Sequence, residues 1–104
     1  MLIFHIVVPG KAVISDDMIL TTESLESEGF IHCSYEHQLD GVIERYYSDE
    51  PRLVILKISA NKLKSKWVSE PSTGGEEYPH VYGPINLNAV VHAEVRKKEA
   101  KQEA

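Results

Sequence analysis

The sequence predicts a small α+β domain, in which one main helix packs on a mixed or antiparallel sheet. Three observations support this fold class. Several short runs are rich in branched and aromatic residues, as strands are. Only one longer segment has apolar residues at helical spacing, which is too few helices for a doubly wound sheet. The chain has 104 residues, enough for one hydrophobic core.

The first predicted strand, Leu2–Val8, is apolar along most of its length and ends at a Pro-Gly pair. Such a run is typical of a strand covered on both faces, so His5 is predicted to lie inside. Turn and cap residues follow. Thr22 or Ser24 is predicted to cap a short helix, and Gly29 is predicted to end it, because glycine adopts the left-handed conformation that ends many helices.

The segment FIHCS after this helix is predicted to be the second strand. Side chains alternate between the faces of a strand, so His32 and Ser34 share one face with Phe30. Ile31 and Cys33 then point to the other face. Cys33 is interpreted as a small buried side chain, the usual state of a free cysteine. A nucleophilic thiol assisted by a histidine is the alternative.

Apolar residues at helical spacing predict the main helix over Glu36–Tyr47. Arg52–Ile58 is a third predicted strand, and Ser65–Pro71 is a short edge strand that ends at a proline. Ala89–Val95 is the last predicted strand. Its side chains alternate, and those predicted to point inward are Val91, Ala93 and Val95.

Composition limits the classes of function. The formal net charge of -5 would repel a phosphate backbone, so generic nucleic-acid binding is not expected. A single cysteine excludes an internal disulfide and indicates a reducing compartment. The apolar N-terminal run is too short for a membrane span or a signal peptide, so a cytoplasmic protein is expected. Residues 1–95 form the predicted single domain, and 96–104 form a charged, flexible tail.

Histidine, serine, tyrosine and glutamate side chains are the candidate site residues. No pair among the five histidines has the helical spacing of zinc ligands, so no metal site is predicted. Histidine and serine on one strand face can hold ribose or phosphate, and tyrosine rings offer stacking faces. Core packing is the alternative for each tyrosine, and a solvated edge for the glutamate. The predicted pocket contains His32, Ser34, Tyr46, Tyr47, Glu70, His80 and Tyr82.

The motifs EGFIHCS, LVILKI and YPHVYGPI occur with Gln38, a Tyr-Tyr pair and Glu70 in an order that closely resembles the domain of unknown function 952 family. The first-strand element FHI also fits that family, and the resemblance covers nearly the whole chain. This family looks like a small member of the ADP-ribosyltransferase-like superfamily. The resemblance therefore implies a curved, split sheet with a cleft for NAD or an ADP-ribose-like ligand.

The resemblance also implies binding roles for individual residues. His5 would hydrogen-bond the adenosine ribose or its phosphates. His32 and Ser34 would line the nicotinamide side of the cleft. Tyr46 or Tyr47 would stack on the nicotinamide ring. Tyr82 is a predicted ligand-binding residue through its place in the pocket described above, and the resemblance gives it no separate role. These roles predict a small, nucleotide-like ligand as the partner of this protein, and no protein partner is identified.

Catalysis, where the resemblance implies it, falls to Glu70 or failing that to His80. Either would hold the ribose and stabilise an oxocarbenium-like transition state while ADP-ribose is transferred or hydrolysed. NAD is considered as substrate or ligand, and no other cofactor is predicted. Residues 8–17 depart from the family, whose members usually have a tryptophan-containing helix there. The alternative function is a non-enzymatic module that binds a small metabolite or a protein through the same cleft.

Overall fold

The computed structural model of the protein describes residues 1–97. Within this range the chain forms two α-helices, α1 (Glu23–Glu28) and α2 (Leu39–Tyr46). The strands in the same range are β1 (Leu2–Val7), β2 (Ala12–Ile14), β3 (Ile19–Thr22), β4 (Ile31–His32), β5 (Arg52–Ser59), β6 (Trp67–Pro71), β7 (Glu77–Val81), β8 (Ile85–Asn86) and β9 (Val90–Lys97). Single turns of 3-10 helix occupy Glu36–Gln38, Ala60–Lys62, Thr73–Gly75 and Leu87–Ala89.

The strands form three small sheets of three strands each, in the orders β1-β5-β9, β2-β3-β8 and β4-β7-β6, here named the first, second and third sheets. Every strand pair in the described residues is antiparallel, so the antiparallel form of the predicted sheet is confirmed over the mixed one. A backbone bridge joins the first and third sheets. The amide of Phe4 donates to the carbonyl of Ser34 over 2.8 Å, and the reverse bond is 2.7 Å.

The short helix α1 has the predicted ends. The backbone amide of Leu25 donates to the side chain of Thr22 at the N-terminus. Gly29 follows the last helical residue with a φ of 89°, which is the left-handed region that favours glycine. The amide of Gly29 donates to the carbonyl of Leu25, so the turn into β4 is closed by a backbone hydrogen bond.

Two groups of buried side chains form the core. The predicted main helix is observed as the 3-10 turn at residues 36–38 followed by α2, and Leu39 packs from it onto the first sheet. Its partners there are Phe4, Ile6, Leu53 and Ile55. A larger group joins all three sheets, and each fully buried isoleucine in it contributes about 1.5–3 kcal/mol. It includes Ile3, Leu20, Ile31, Cys33, Leu56, Ile58, Val81 and Ile85.

The side chain of Gln38 fixes the start of α2 against the third sheet. Its Oε1 accepts from the amide of Tyr35 over 2.9 Å. Its Nε2 donates to the carbonyl of Glu77 over 2.7 Å and to the carboxylate of Glu76 over 2.9 Å. Because Gln38 is buried, losing these bonds would leave polar groups unsatisfied. The position of α2 over the third sheet therefore depends on this residue.

The inward face predicted for the last strand is wrong. Val91 and Val95 are 49% and 58% exposed. Within the described residues β9 pairs only with β5, and it lies at the edge of the first sheet. Successive side chains of β9 still alternate between the two faces of the sheet, but both faces are open there, so neither is a core face. The strand also runs to Lys97, past the predicted boundary, and the rest of the predicted tail, 98–104, lies outside the described residues.

Residues 8–17, where members of the family usually have a helix and this sequence departs from them, form a turn and the strand β2. The amide of Lys11 donates to the carbonyl of Val8 over 3.0 Å, and β2 pairs with β3. Val13 and Ile14 are largely exposed on this hairpin. None of these ten residues lines the cleft described below.

Candidate functional site

A cleft of about 390 Å³ lies where the first and third sheets meet beside α2. Its volume is in the range of small-molecule sites. Its apolar and aromatic lining comes from β1, from β7 and from α2 with the residue after it. Its polar lining comes from the last residue of α1, from β4 with the residues after it, and from the loop before β7. The residues that line the cleft are Ile6, Glu28, His32, Cys33, Ser34, Val42, Tyr46, Tyr47, Ser72 and Tyr78.

The third sheet places the two predicted histidines side by side. His32 is directly opposite His80 in the β4-β7 pairing, so their side chains share one face. Ile31 is opposite Val81, and both are fully buried on the other face. The predicted alternation in β4 is therefore confirmed. Within EGFIHCS, Gly29 ends the helix, Ile31 lies on the buried face of the strand, and His32 shares the other face with Phe30.

The imidazole rings form one cluster with Phe30. The ring of His80 stacks on that of Phe30, with centroids 4.1 Å apart and an angle of 19° between the planes. The rings of His32 and His80 meet edge to face at 5.6 Å. The structure therefore brings together the two imidazoles, although their residues are far apart in the sequence.

A chain of hydrogen bonds extends from His80 across the third sheet. Nδ1 of His80 lies 2.8 Å from Oε1 of Glu70, and the hydroxyl of Tyr82 donates to the same oxygen. The bonds from Tyr82 and then His80 lower the pKa of Glu70, and the bond to Glu70 raises the pKa of Tyr82. An ionised carboxylate can only accept, so Nδ1 of His80 donates to Glu70, and in a neutral ring Nε2 is then an acceptor. That buried Nε2 has no hydrogen-bond partner among the described residues.

Glu70, His80 and Tyr82 do not line the cleft, and neither does His5. The ring of His5 is buried, and its Nδ1 is 2.8 Å from the carbonyl of His32, to which it donates when protonated there. Burial lowers the pKa of His5, so the ring is neutral. Four of the predicted site residues thus lie beside the cleft, and His32 connects them to it.

Four other predicted residues do line the cleft: His32, Ser34, Tyr46 and Tyr47. Tyr46 is 57% exposed, so its ring is open to a ligand. Tyr47 is more deeply placed, and burial raises the pKa of its hydroxyl. The spacing of apolar residues in α2 predicts which face of the helix these tyrosines occupy. It does not predict which part of the third sheet lies opposite that face.

The cleft contains an acidic side chain to which the sequence assigns no role. Oε2 of Glu28 is 3.2 Å from Nε2 of His32, and both side chains are about half exposed. The two residues are four positions apart across the turn at Gly29. The sequence could have drawn attention to Glu28, because this residue begins the EGFIHCS motif. Its pairing with His32 could not be predicted, because the pairing depends on the angle between α1 and β4.

The positively charged side chain of Arg45 lies at the rim of the cleft. The guanidinium of Arg45 donates to the hydroxyl of Tyr78 over 3.0 Å and lies 5.7 Å from the ring centroid of Tyr46. Both tyrosines line the cleft, so Arg45 places its positive charge next to the opening. Sequence reasoning missed Arg45 and Tyr78, because residues from α2 and β7 meet only in the folded chain.

The thiol of Cys33 is buried, and burial raises its pKa to about 12. At neutral pH the group is a thiol and not the thiolate that a nucleophile requires.

Residues 1–97 contain no group of three or more His, Cys, Asp or Glu side chains placed to hold a metal ion. Across the same residues, every helix is too short or too polar to span a membrane.

Comparison with known proteins identifies the fold and the family. The structure is similar to the crystal structure of protein CC0527 from Caulobacter crescentus, with a TM-score of 0.82 and 23% sequence identity over 96% of this chain and 90% of that one. A double mutant of CC0527 matches with a TM-score of 0.82, 22% identity and the same coverage. At this identity the likeness shows the fold alone.

No curated protein matches the chain. The family described as Protein of unknown function (DUF952) matches residues 11–93, so the chain belongs to this family.

Proposed function

We propose that this protein binds NAD or an ADP-ribose-like nucleotide in the cleft between α2 and the third sheet. The observation that carries this proposal is the composition of the cleft lining. Tyr46 and Tyr47 provide aromatic surface, and His32 and Ser34 provide hydrogen-bonding groups. A nucleotide has the matching parts, a flat base and a polar ribose phosphate.

The rim of the cleft supports a ligand that carries phosphate. The chain is acidic overall, with a formal net charge of -5, so an anionic ligand needs a local cation. Arg45 supplies one beside Tyr46 and Tyr78. A guanidinium can donate two parallel hydrogen bonds to a phosphate, a geometry that a lysine cannot provide.

The arrangement of the sheets supports the proposed relation to the ADP-ribosyltransferase-like superfamily. That relation implies a split sheet with the ligand cleft at the split. Here the first and third sheets are separate and are joined by the bridge between Phe4 and Ser34. The cleft lies beside this bridge and includes Ile6 from one sheet and Ser34 next to the other. Ligand binding at this position would support the relation.

Calorimetric titration with NAD and with ADP-ribose tests the proposal. We expect saturable binding by the unmodified protein. Tyr46→Leu should weaken it by about 1–3 kcal/mol, because a base loses its aromatic stacking partner. Tyr35→Leu is the control, since Tyr35 is a tyrosine that does not line the cleft. Absence of binding to the unmodified protein at millimolar ligand would disprove the proposal.

The geometry of the cleft favours a protein that binds the nucleotide without cleaving it. Cleavage of NAD breaks the bond from ribose C1′ to the nicotinamide nitrogen, whose electron pair leaves with nicotinamide, while water adds at C1′ and releases a proton. Charge must be stabilised near C1′. Glu70 and His80, to which the family resemblance assigns this step, do not line the cleft.

Incubation with NAD and detection of free nicotinamide separates binding from turnover. We expect no nicotinamide above the level of a protein-free sample. Release by the protein would show an NAD-cleaving enzyme, and Glu70→Gln would then test whether Glu70 stabilises the transition state. A rate that falls by about 10² to 10³ in that variant would assign catalysis to Glu70, whereas an unchanged rate would exclude it.

A further inference from the structure

We infer that Glu28, held by His32, is the group that recognises the ribose hydroxyls of the ligand. This inference rests on the proposed nucleotide function and assigns to Glu28 the ribose contact that the family resemblance gives to Glu70. It names a vicinal diol as the chemical feature that the cleft selects.

The position of Glu28 is the first argument. Among the described residues that line the cleft, Glu28 is the only one with a carboxylate. Its side chain is 50% exposed and that of His32 is 48% exposed, so a ligand in the cleft can reach both. Glu70 is different, because its Oε1 already accepts from Tyr82 and contacts His80 outside the cleft.

The backbone around this pair is fixed on both sides. The amide of Gly29 donates to the carbonyl of Leu25 over 3.1 Å, and the hydroxyl of Ser24 donates to the carbonyl of Phe30 over 2.9 Å. The carbonyl of His32 contacts the ring of His5. A binding group whose backbone is held in this way loses little entropy when a ligand binds.

The chemistry of the pair fits a diol. A carboxylate has two oxygens with about four acceptor positions, and His32 contacts only Oε2 of Glu28. Two adjacent hydroxyl groups can therefore donate to the remaining positions. A carboxylate that accepts from ribose hydroxyls is also the way in which dinucleotide-binding folds recognise NAD.

The location of Glu28 in α1 argues against a purely structural role. It is the last residue of the helix, and the last turn has no basic residue. A negative charge at that end interacts unfavourably with the helix dipole. The exposed pair with His32 adds little stability. Replacement of Glu28 should therefore leave the fold intact.

The test compares ligands that do and do not have the diol. Adenosine monophosphate and nicotinamide mononucleotide are titrated into the protein, each beside its 2′,3′-dideoxy counterpart. We expect the unmodified protein to bind the ribose forms about tenfold more tightly than the dideoxy forms. Glu28→Gln should remove most of this difference, and it should leave the affinity for the dideoxy forms within about twofold.

Glu26→Gln is the matched control, because it removes the same charge from an exposed position of the same helix. It should bind all four ligands as the unmodified protein does. Equal weakening of ribose and dideoxy forms by Glu28→Gln, or no weakening at all, would overturn the role of Glu28 while nucleotide binding stood. Failure of the unmodified protein to bind any of the four ligands would overturn both proposals.

Discussion

Cys33 belongs to the larger core group, and its side chain has 5% exposure. Strand alternation was sufficient to predict this, because Cys33 lies between two residues that point to the other face. The same argument placed His32 and Ser34 correctly. It could not find Glu28, whose side chain reaches the cleft from a helix end, where no simple periodicity applies.

Burial predicts a slow reaction of the Cys33 thiol. Because its pKa is raised to about 12, almost no thiolate is present at pH 8. A disulfide reagent such as Ellman's reagent should react with the folded protein orders of magnitude more slowly than with the protein unfolded in guanidinium. Equal rates in the two states would show that Cys33 is accessible and reactive.

The bond between Tyr82 and Glu70 predicts a change in tyrosine ionisation. The pKa of Tyr82 is raised first by its hydrogen bond to Glu70 and also by the charge of that carboxylate. Glu70→Gln should therefore lower the pKa of Tyr82 toward its ordinary value near 10. Tyrosinate absorbance during a pH titration measures the change.

Two further variants make that titration specific. Tyr82→Phe identifies the contribution of Tyr82 among the tyrosines. Glu77→Gln is the control, since the Glu77 carboxylate accepts from Ser69 and not from a tyrosine. An identical titration curve for Glu70→Gln and the unmodified protein would contradict the observed bond.

Among the helices and strands, the ends of α1 were the most predictable features and β9 was the least. A cap is a local interaction between residues a few positions apart, so Thr22 and Gly29 can be recognised from the sequence. The exposure of β9 depends on which strands and helices cover the first sheet. That arrangement is set by contacts far apart in the chain, which alternation within one strand does not reveal.

Two glycine substitutions should have opposite effects on stability. Gly29→Ala puts a side chain at a φ of 89° and should lower the free energy of unfolding by about 1–2 kcal/mol. Gly41→Ala lies inside α2 and should raise it by about 0.5–1 kcal/mol. The new Cβ at Gly41 would meet only the end of the Arg45 side chain, at 3.3 Å, and that end can move.

Urea unfolding of both variants measures these free energies. No heavy atom lies within 4 Å of the Cβ position at Gly29, leaving out its chain neighbours, so the loss there would come from the backbone conformation alone. A change of the same sign in both variants would contradict the helix boundaries described above.

In the molecule as a whole, the α+β class, the main helix and the family could be predicted, whereas the division into three sheets could not. Strand length and apolar content define strands one at a time, but pairing is a property of the assembled chain. The same limit applies to the site. His32 and His80 were predicted to meet, and they do, but of the two only His32 lines the cleft, and Glu70 does not line it.

Acid should destabilise the fold through His5. Burial lowers the pKa of His5 in the folded chain below its ordinary value of 6.5. The unfolded chain therefore takes up a proton near pH 6.5 that the folded chain does not. Stability is unaffected above this pH and falls as the pH decreases below it, by at most about 1.4 kcal/mol per pH unit.

Denaturant unfolding between pH 7.5 and pH 5 measures this dependence, above the range in which Glu70 titrates. His5→Asn keeps a donor for the carbonyl of His32 without an ionisable ring, so its stability should vary less with pH. His92→Asn, at an exposed position of β9, should retain the full dependence. Equal dependence in His5→Asn and the unmodified protein would contradict the account.

Nuclear magnetic resonance of the isotope-labelled protein during a titration with NAD tests nucleotide binding most directly. The account predicts dose-dependent amide shifts at residues that line the cleft, namely His32, Ser34, Tyr46 and Tyr47, and small shifts at the exposed edge of β9. Shifts confined to other surfaces, or none at millimolar NAD, would contradict it.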